Sequence, residues 1–208
     1  MKPVVNWDRL PLSALLERLE GRLSPRQMRL AACAVARLMG VADQRRHREA
    51  IELAEAFADG RAAPHQLAAA RFGARSLHGQ IFWLVCWPPG SDDWPRFLQA
   101  VEVALLYSGT PRSSLDTPDL RQQAADLIRD IAGNLDQEIS LQPLWGSTPA
   151  VRSLAQAIYD ERDFAALPIL ADALEEAGCT DARLIEHARQ IGTHTRGCWL
   201  LDLLLGKQ

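Results

Sequence analysis

Helix punctuation constrains this chain more than any other feature of its sequence. Ser24-Pro25-Arg26-Gln27 is a capping box with proline at the first helical position, and Leu23 and Met28 stand where a hydrophobic staple belongs. The side chains of such a box satisfy N–H groups that a helix start leaves open, and a proline at that point forfeits no intrahelical bond. The segment should close at Gly40. The same grammar recurs downstream. A helix from about Asp43 to Asp59 stops at Gly60, and Pro64 opens an Ala-rich segment that Pro88-Pro89-Gly90 ends. Asp92 or Asp93 caps a helix through Tyr107, and Thr117-Pro118 starts one that ends at Gly133-Asn134. Thr148-Pro149 caps another to about Arg162. Further helices fall near 165–177, 181–190 and 197–205, closed by Gly178 and Gly206. Residues 135–147 are the one stretch without helical period, with Trp145 expected to pin that loop.

The expected fold is therefore all-α: an irregular array of about eight to nine helices. The last helix, Trp199 to Leu205, is apolar almost all round and should be buried. Helix and loop lengths vary too much for a regular helical repeat. Residues 1–208 read as a single helical domain, with a seam between two subdomains expected near 108–117.

Composition narrows the function classes. With 48% hydrophobic residues among 208, the chain can build a real core without metal or disulfide. Its apolar runs fall far short of the roughly 20 residues of a membrane span. The opening Met1-Lys2-Pro3-Val4-Val5-Asn6-Trp7-Asp8 has no apolar stretch of the signal-peptide kind. Cys33, Cys86, Cys179 and Cys198 form no CxxC pair and read as reduced, mostly buried thiols of a cytoplasmic protein. The net charge of −3 hides an asymmetry: residues 1–75 carry 13 basic against 8 acidic groups, and 76–208 carry 10 against 18. Such a bipolar chain can bind a charged protein partner or pair its halves internally. Nucleic acid is disfavoured, because the chain is acidic overall and no aromatic residue interleaves with the basic set Arg22, Arg26, Arg29, Arg37, Arg45, Arg46 and Arg48.

Three sets of residues carry candidate chemistry. On a helical wheel Met28, Ala31, Val35, Leu38 and Met39 share one face of the 24–39 helix, and Arg26, Arg29 and Arg37 lie nearly opposite. That arrangement predicts an amphipathic surface helix whose arginine stripe is an open docking surface for a protein partner; the alternative is internal pairing with acidic groups. Cys33 lies four residues from both Arg29 and Arg37, whose charges would favour a reactive thiolate; a small buried thiol under a covering helix is the alternative. Finally, Cys179, His187, His194 and Cys198 offer two thiols and two imidazoles within twenty residues. Zinc prefers these ligands, although only His194-x3-Cys198 is closely spaced. Trp83 and Trp87 read as a core pair at helical spacing, and Asp202 as a buried carboxylate in need of a partner. The local signatures of phosphate loops, dinucleotide folds, zinc proteases, serine hydrolases and calcium loops are absent.

Two stretches resemble a known family. Arg29-Leu30, Ala32-Cys33-Ala34, Arg37 and the run Ala50-Ile51-Glu52-Leu53-Ala54-Glu55 with Phe57-Ala58-Asp59-Gly60 form one. The other is Ala157-Ile158-Tyr159, Leu167 to Cys179, and His194 with Arg196-Gly197-Cys198-Trp199. Together they resemble an uncharacterised, paralogue-rich bacterial helical family. Its C-terminal part carries an Ala-Asp-x-Leu-Glu-Glu-x-Gly-Cys … His-x-Arg-Gly-Cys-Trp pattern, covering about fifty residues here. Ala171 to Gly178 also resembles a short bacterial repeat-associated domain. The resemblance implies an all-helical fold and an interaction or regulatory module, and it implies no activity. The residues thus leave three classes: a helical protein-interaction module, a small zinc-binding domain, and an enzyme using Cys33.

Overall fold

The Ser24 capping box forms as the sequence spells it. Ser24 Oγ accepts from the Gln27 amide at 3.2 Å, and Gln27 Oε1 accepts from the Ser24 amide at 2.9 Å. The computed structural model describes residues 6–40, 45–72, 86–87, 94–107, 117–135, 148–192 and 194–207. Among these there are ten α-helices and no strand, so the chain is all-α. They are α1 (Leu12–Leu19), α2 (Pro25–Leu38), α3 (Arg45–Ala58), α4 (Pro64–Phe72) and α5 (Trp94–Tyr107), then α6 (Thr117–Ala132), α7 (Pro149–Glu161), α8 (Leu167–Glu176), α9 (Ala182–Arg189) and α10 (Trp199–Leu205). Helix α1 has no sequence counterpart above. It is eight residues long and preceded by Pro11 with no side-chain cap, so it lacks the punctuation that marks the others. Trp83, Trp145 and the whole of 136–147 lie outside the described residues. No described helix is long and apolar enough to cross a membrane.

The chain divides into two compact units, Met1–Arg129 and Asp130–Gln208. The division falls between consecutive residues of α6; residues 108–116, where a seam was expected, lie outside the described residues.

In the first unit α2 packs against both α3 and α5, and α3 against α4. The wheel of α2 suggested one buried face, but every residue from Met28 to Ala36 is buried. Four alanines in that run let neighbouring helices approach from more than one side. Arg29 is buried with the rest, 1% exposed. Its guanidinium lies between the rings of Phe57 and Trp87, 4.9 and 4.7 Å from their centroids, and donates to the Trp87 carbonyl at 3.2 Å. Arg129, near the end of α6, is also buried and donates to the carbonyls of Trp7 and Leu10.

The second unit is a cluster of α7, α8, α9 and α10 around Ile158, Tyr159, Leu170, Leu174, Leu184 and Leu201. As its composition required, α10 is central: Leu200, Leu201, Asp202, Leu204 and Leu205 are all buried. Helix α8 ends in a Schellman motif. The Cys179 amide bonds the Leu174 carbonyl and the Gly178 amide bonds that of Glu175, both at 2.9 Å, with Gly178 at a φ of +88°.

Candidate metal centre

The second unit brings three short segments to one point. The first is the last turn of α6, which carries Asp130 two residues before its end. The second is α9, whose start is capped by the Asp181 side chain on the Arg183 amide at 3.0 Å and whose last turn presents His187. The third is the turn from His194 to Cys198, closed by the Cys198 amide on the Thr195 carbonyl at 3.0 Å with Gly197 at a φ of +90°. Cys198 is the N-cap residue of α10.

One ligand atom each from Asp130, His187, His194 and Cys198 lies within 4.8 Å of all the others. His187 Nε2 is 3.2 Å from Cys198 Sγ and 3.3 Å from Asp130 Oδ1; His194 Nδ1 is 2.7 Å from the same Oδ1. A tetrahedral zinc site, with bonds of about 2.0–2.3 Å, has ligand-to-ligand edges of roughly 3.3–3.6 Å. The His187–Asp130 edge at 3.3 Å already matches, the His187–Cys198 contact at 3.2 Å falls short of it, and the His194–Asp130 edge at 2.7 Å must open by about half an ångström. The pocket is closed: the side chains of His187, His194 and Asp130 are 13%, 6% and 5% exposed, and Cys198 is fully buried. Four protein donors with little access fit a structural ion better than a catalytic one, which keeps an open position. Charge balances as well, since a divalent cation with one carboxylate, one thiolate and two neutral imidazoles is locally neutral.

The groups behind the ligands sort by role. The Thr195 amide holds Asp130 Oδ2 at 2.8 Å, which leaves Oδ1 for the cluster. His194 Nε2 faces the Gln190 carbonyl at 3.2 Å, the acceptor that a histidine ligating through Nδ1 needs on its other nitrogen. His187 differs: its Nδ1 lies 3.2 Å from Trp199 Nε1, and an indole N–H only donates. In that geometry Nδ1 accepts and the imidazole proton sits on Nε2, shared between Asp130 and Cys198.

The electrostatics are those of a buried, mutually dependent set. Burial pushes the Asp130 carboxyl up, but hydrogen bonds from His187 and His194 and their charges more than offset it, and the group lies below its ordinary range. Burial pulls His194 down, and the hydrogen bond and charge of Asp130, with the Gln190 carbonyl, turn the balance so that His194 is raised. Burial raises the Cys198 thiol well above its usual value, the Asp130 charge adds to this, and the amides of Leu201 and Leu200 oppose it.

This set differs from the expected one in one ligand. Cys179 does not join it; its place in the Schellman motif puts the side chain in the core beside Leu174, and Asp130 takes the fourth position. The signal for Asp130 was present: an acid next to Ile131 and Ala132 in a helix about to end, the same reasoning that flagged Asp202. Asp202 is indeed buried and engaged.

The other expected sites are also corrected. The stripe of Arg26, Arg29 and Arg37 is not an open face. Arg26 binds Asp59 Oδ1 through Nε and Nη2 at 3.2 and 3.0 Å, Arg37 binds both oxygens of the buried Glu55 at 3.0 and 3.1 Å, and Arg29 is sandwiched as described. The carboxylates that pair with Arg26 and Arg37 come from α3 and the residue just past its end, not from the acidic half of the chain. Cys33 has no exposure, and its Sγ is directed at the Ile51 carbonyl, 4.0 Å away. Burial raises its pKa well above the usual thiol value, and Glu55 and Cys86 add to this against the smaller opposing pull of Arg29 and Arg37. It is a small core residue under a covering helix, not an activated thiol.

The fold and cluster together define an all-α protein with a buried Asp/His/His/Cys set able to hold a metal. No protein-family model, curated protein or solved structure matches the chain.

Proposed function

We propose that the chain is a helical protein-interaction module of the cytoplasm whose C-terminal unit is organised around a structural zinc ion. The ion is held by Asp130 Oδ1, His187 Nε2, His194 Nδ1 and Cys198 Sγ. The observation that carries this reading is the convergence of those four donor atoms within 4.8 Å at a buried point. Zinc accepts this mixed oxygen, nitrogen and sulfur set in tetrahedral geometry without redox chemistry. The ion would tie the end of α6 to the last thirty or so residues, and its binding free energy would count as folding free energy. The resemblance to a paralogue-rich bacterial family supports the module part of the reading, since many copies on one scaffold suit varied partners.

A second reading has its own observation. The Trp199 N–H directed at His187 Nδ1 suits a metal-free network: a buried Asp130–His194 ion pair, with His187 bridging Asp130 and Cys198. Elemental analysis of protein purified without chelators separates the two. The zinc reading requires close to one equivalent per chain. Cobalt substitution should then give tetrahedral absorption with a thiolate charge-transfer band that Cys198→Ser removes. Protein that neither retains nor takes up zinc or cobalt leaves the hydrogen-bonded network.

A further inference from the structure

The first unit contains an apolar groove of about 440 Å³ between α1 and α5. Leu12 and Leu16 line it from one helix, spaced i and i+4; Leu98, Val101 and Leu105 line it from the other, spaced i, i+3 and i+7. Trp94 stands half-buried at one end, held by a tilted contact with the buried Phe97 ring at 5.2 Å between centroids. Among the described residues lining it, three exposed carboxylates, Glu17 and Glu20 on α1 and Glu102 on α5, stand around this floor against one exposed guanidinium, that of Arg121. Acid therefore borders the groove on both walls. That polarity repels nucleic acid, acidic peptides and anionic lipid surfaces, and it attracts a cationic apolar ligand.

We propose that this groove docks an amphipathic helix of a partner protein, one whose leucine-type face is flanked on both sides by lysine or arginine. The apolar face would lie along the two rows of leucine and valine, as in helix-in-groove recognition, and the flanking cations would meet Glu17 and Glu20 on one side and Glu102 on the other. Trp94, prepositioned by Phe97, is the expected anchor, because a rigid aromatic at a groove end costs little ordering entropy. The proposal rests on the interaction-module reading and not on the metal.

The test uses the full chain and a fluorescein-labelled peptide of about 14 residues, with leucines at i, i+3, i+4 and i+7 flanked by lysines. A second peptide carries glutamate in place of each lysine. Anisotropy should show saturable binding of the lysine peptide and none of the glutamate peptide. Leu98→Glu, and separately the pair Glu17→Lys with Glu102→Lys, should each weaken binding at least about tenfold, and added salt should weaken it further. The pair changes only exposed side chains, so it stays informative if Leu98→Glu fails to fold. Absence of saturable binding, equal binding of both peptides, or binding that neither variant weakens would overturn the proposal. So would a dimer in sedimentation velocity that Leu98→Glu converts to monomer, since the occupant would then be a second copy. Zinc content is measured on the same samples. Lost peptide binding with zinc retained counts against the groove alone, and peptide binding without zinc counts against the metal alone.

Discussion

Cys198 Sγ and His187 Nε2 lie 3.2 Å apart, and the same nitrogen is 3.3 Å from Asp130 Oδ1. Without an ion, a single imidazole proton serves both contacts. An ion there would take the place of that proton on Nε2, and Cys198 would release its own thiol proton to solvent on ligating as a thiolate. The two states differ in what the sulfur carries, and most of what can be measured at this site follows from that difference.

If the Asp130, His187, His194 and Cys198 cluster holds zinc, removing it should destabilise the second unit. Treatment with a strong chelator is expected to lower the melting temperature of wild-type protein. In Asp130→Ala or Cys198→Ser the same treatment should produce no shift, because the ion is already lost. Calorimetry with and without chelator checks this. An identical chelator effect in wild type and both variants would mean the ion sits elsewhere.

Trp199 should oppose metal binding. When His187 ligates through Nε2 its proton moves to Nδ1, where it meets the indole N–H at a 3.2 Å donor-to-donor distance. Trp199→Phe keeps much of the ring packing and removes the conflicting donor. Zinc affinity, measured by competition with a chromophoric chelator, should rise severalfold, the direction opposite to the usual loss of about 10–100-fold when a supporting outer group is removed.

The Arg29 guanidinium is a core element of the first unit. Arg29→Ala removes a buried side chain held by two aromatic rings and a carbonyl, and should cost about 2–4 kcal/mol in urea unfolding. Arg29→Lys should recover only part of this, since an ammonium does not stack between rings as a planar guanidinium does. A loss of less than about 0.5 kcal/mol would place Arg29 among surface residues.

Cys33 should resist alkylation. Its folded pKa lies well above that of an exposed thiol, so below about pH 8.5 folded and unfolded chains both hold the proton and the group costs no stability. Above that the unfolded thiol ionises first, and stability falls as pH rises toward the folded value. Iodoacetamide labelling of Cys33, followed by mass spectrometry, should therefore track global unfolding and speed up at alkaline pH. Fast labelling at neutral pH in native protein would restore the reactive-thiol idea.

The helix boundaries were legible because they are written locally. Ser24 and Gln27 form their box, and Gly40, Gly60, Gly133, Gly178 and Gly206 all adopt the positive φ that ends a helix. What covers a helix is not written locally. The wheel of α2 sets Arg26 and Arg37 apart from Met28, Val35 and Leu38, yet α3 packs over that side, and Asp59 just past its end and Glu55 within it pair with them across 33 and 18 residues of sequence. The same limit governs the candidate metal centre. His187, His194 and Cys198 are close in sequence and were found together, whereas Asp130 is 64 residues from His194 and reaches it only through the fold. Cys179 stays out of the cluster because, three places beyond the last residue of α8, its backbone is already committed to closing that helix.

Gly133 ends α6 at a φ of +64°, and a Cβ built there would stand 3.1 Å from Cγ of Trp199. Handedness at that one position therefore aims a ring. An L-alanine would be strained by the backbone and would press on the indole, displacing it from His187. A D-alanine, introduced by semisynthesis, favours the same backbone and directs its methyl group away from the position where the L-methyl meets the indole. If the indole governs the His187 proton, the mirror-image methyl groups should give opposite results: the L form disturbs zinc affinity, and the D form leaves it at the glycine value.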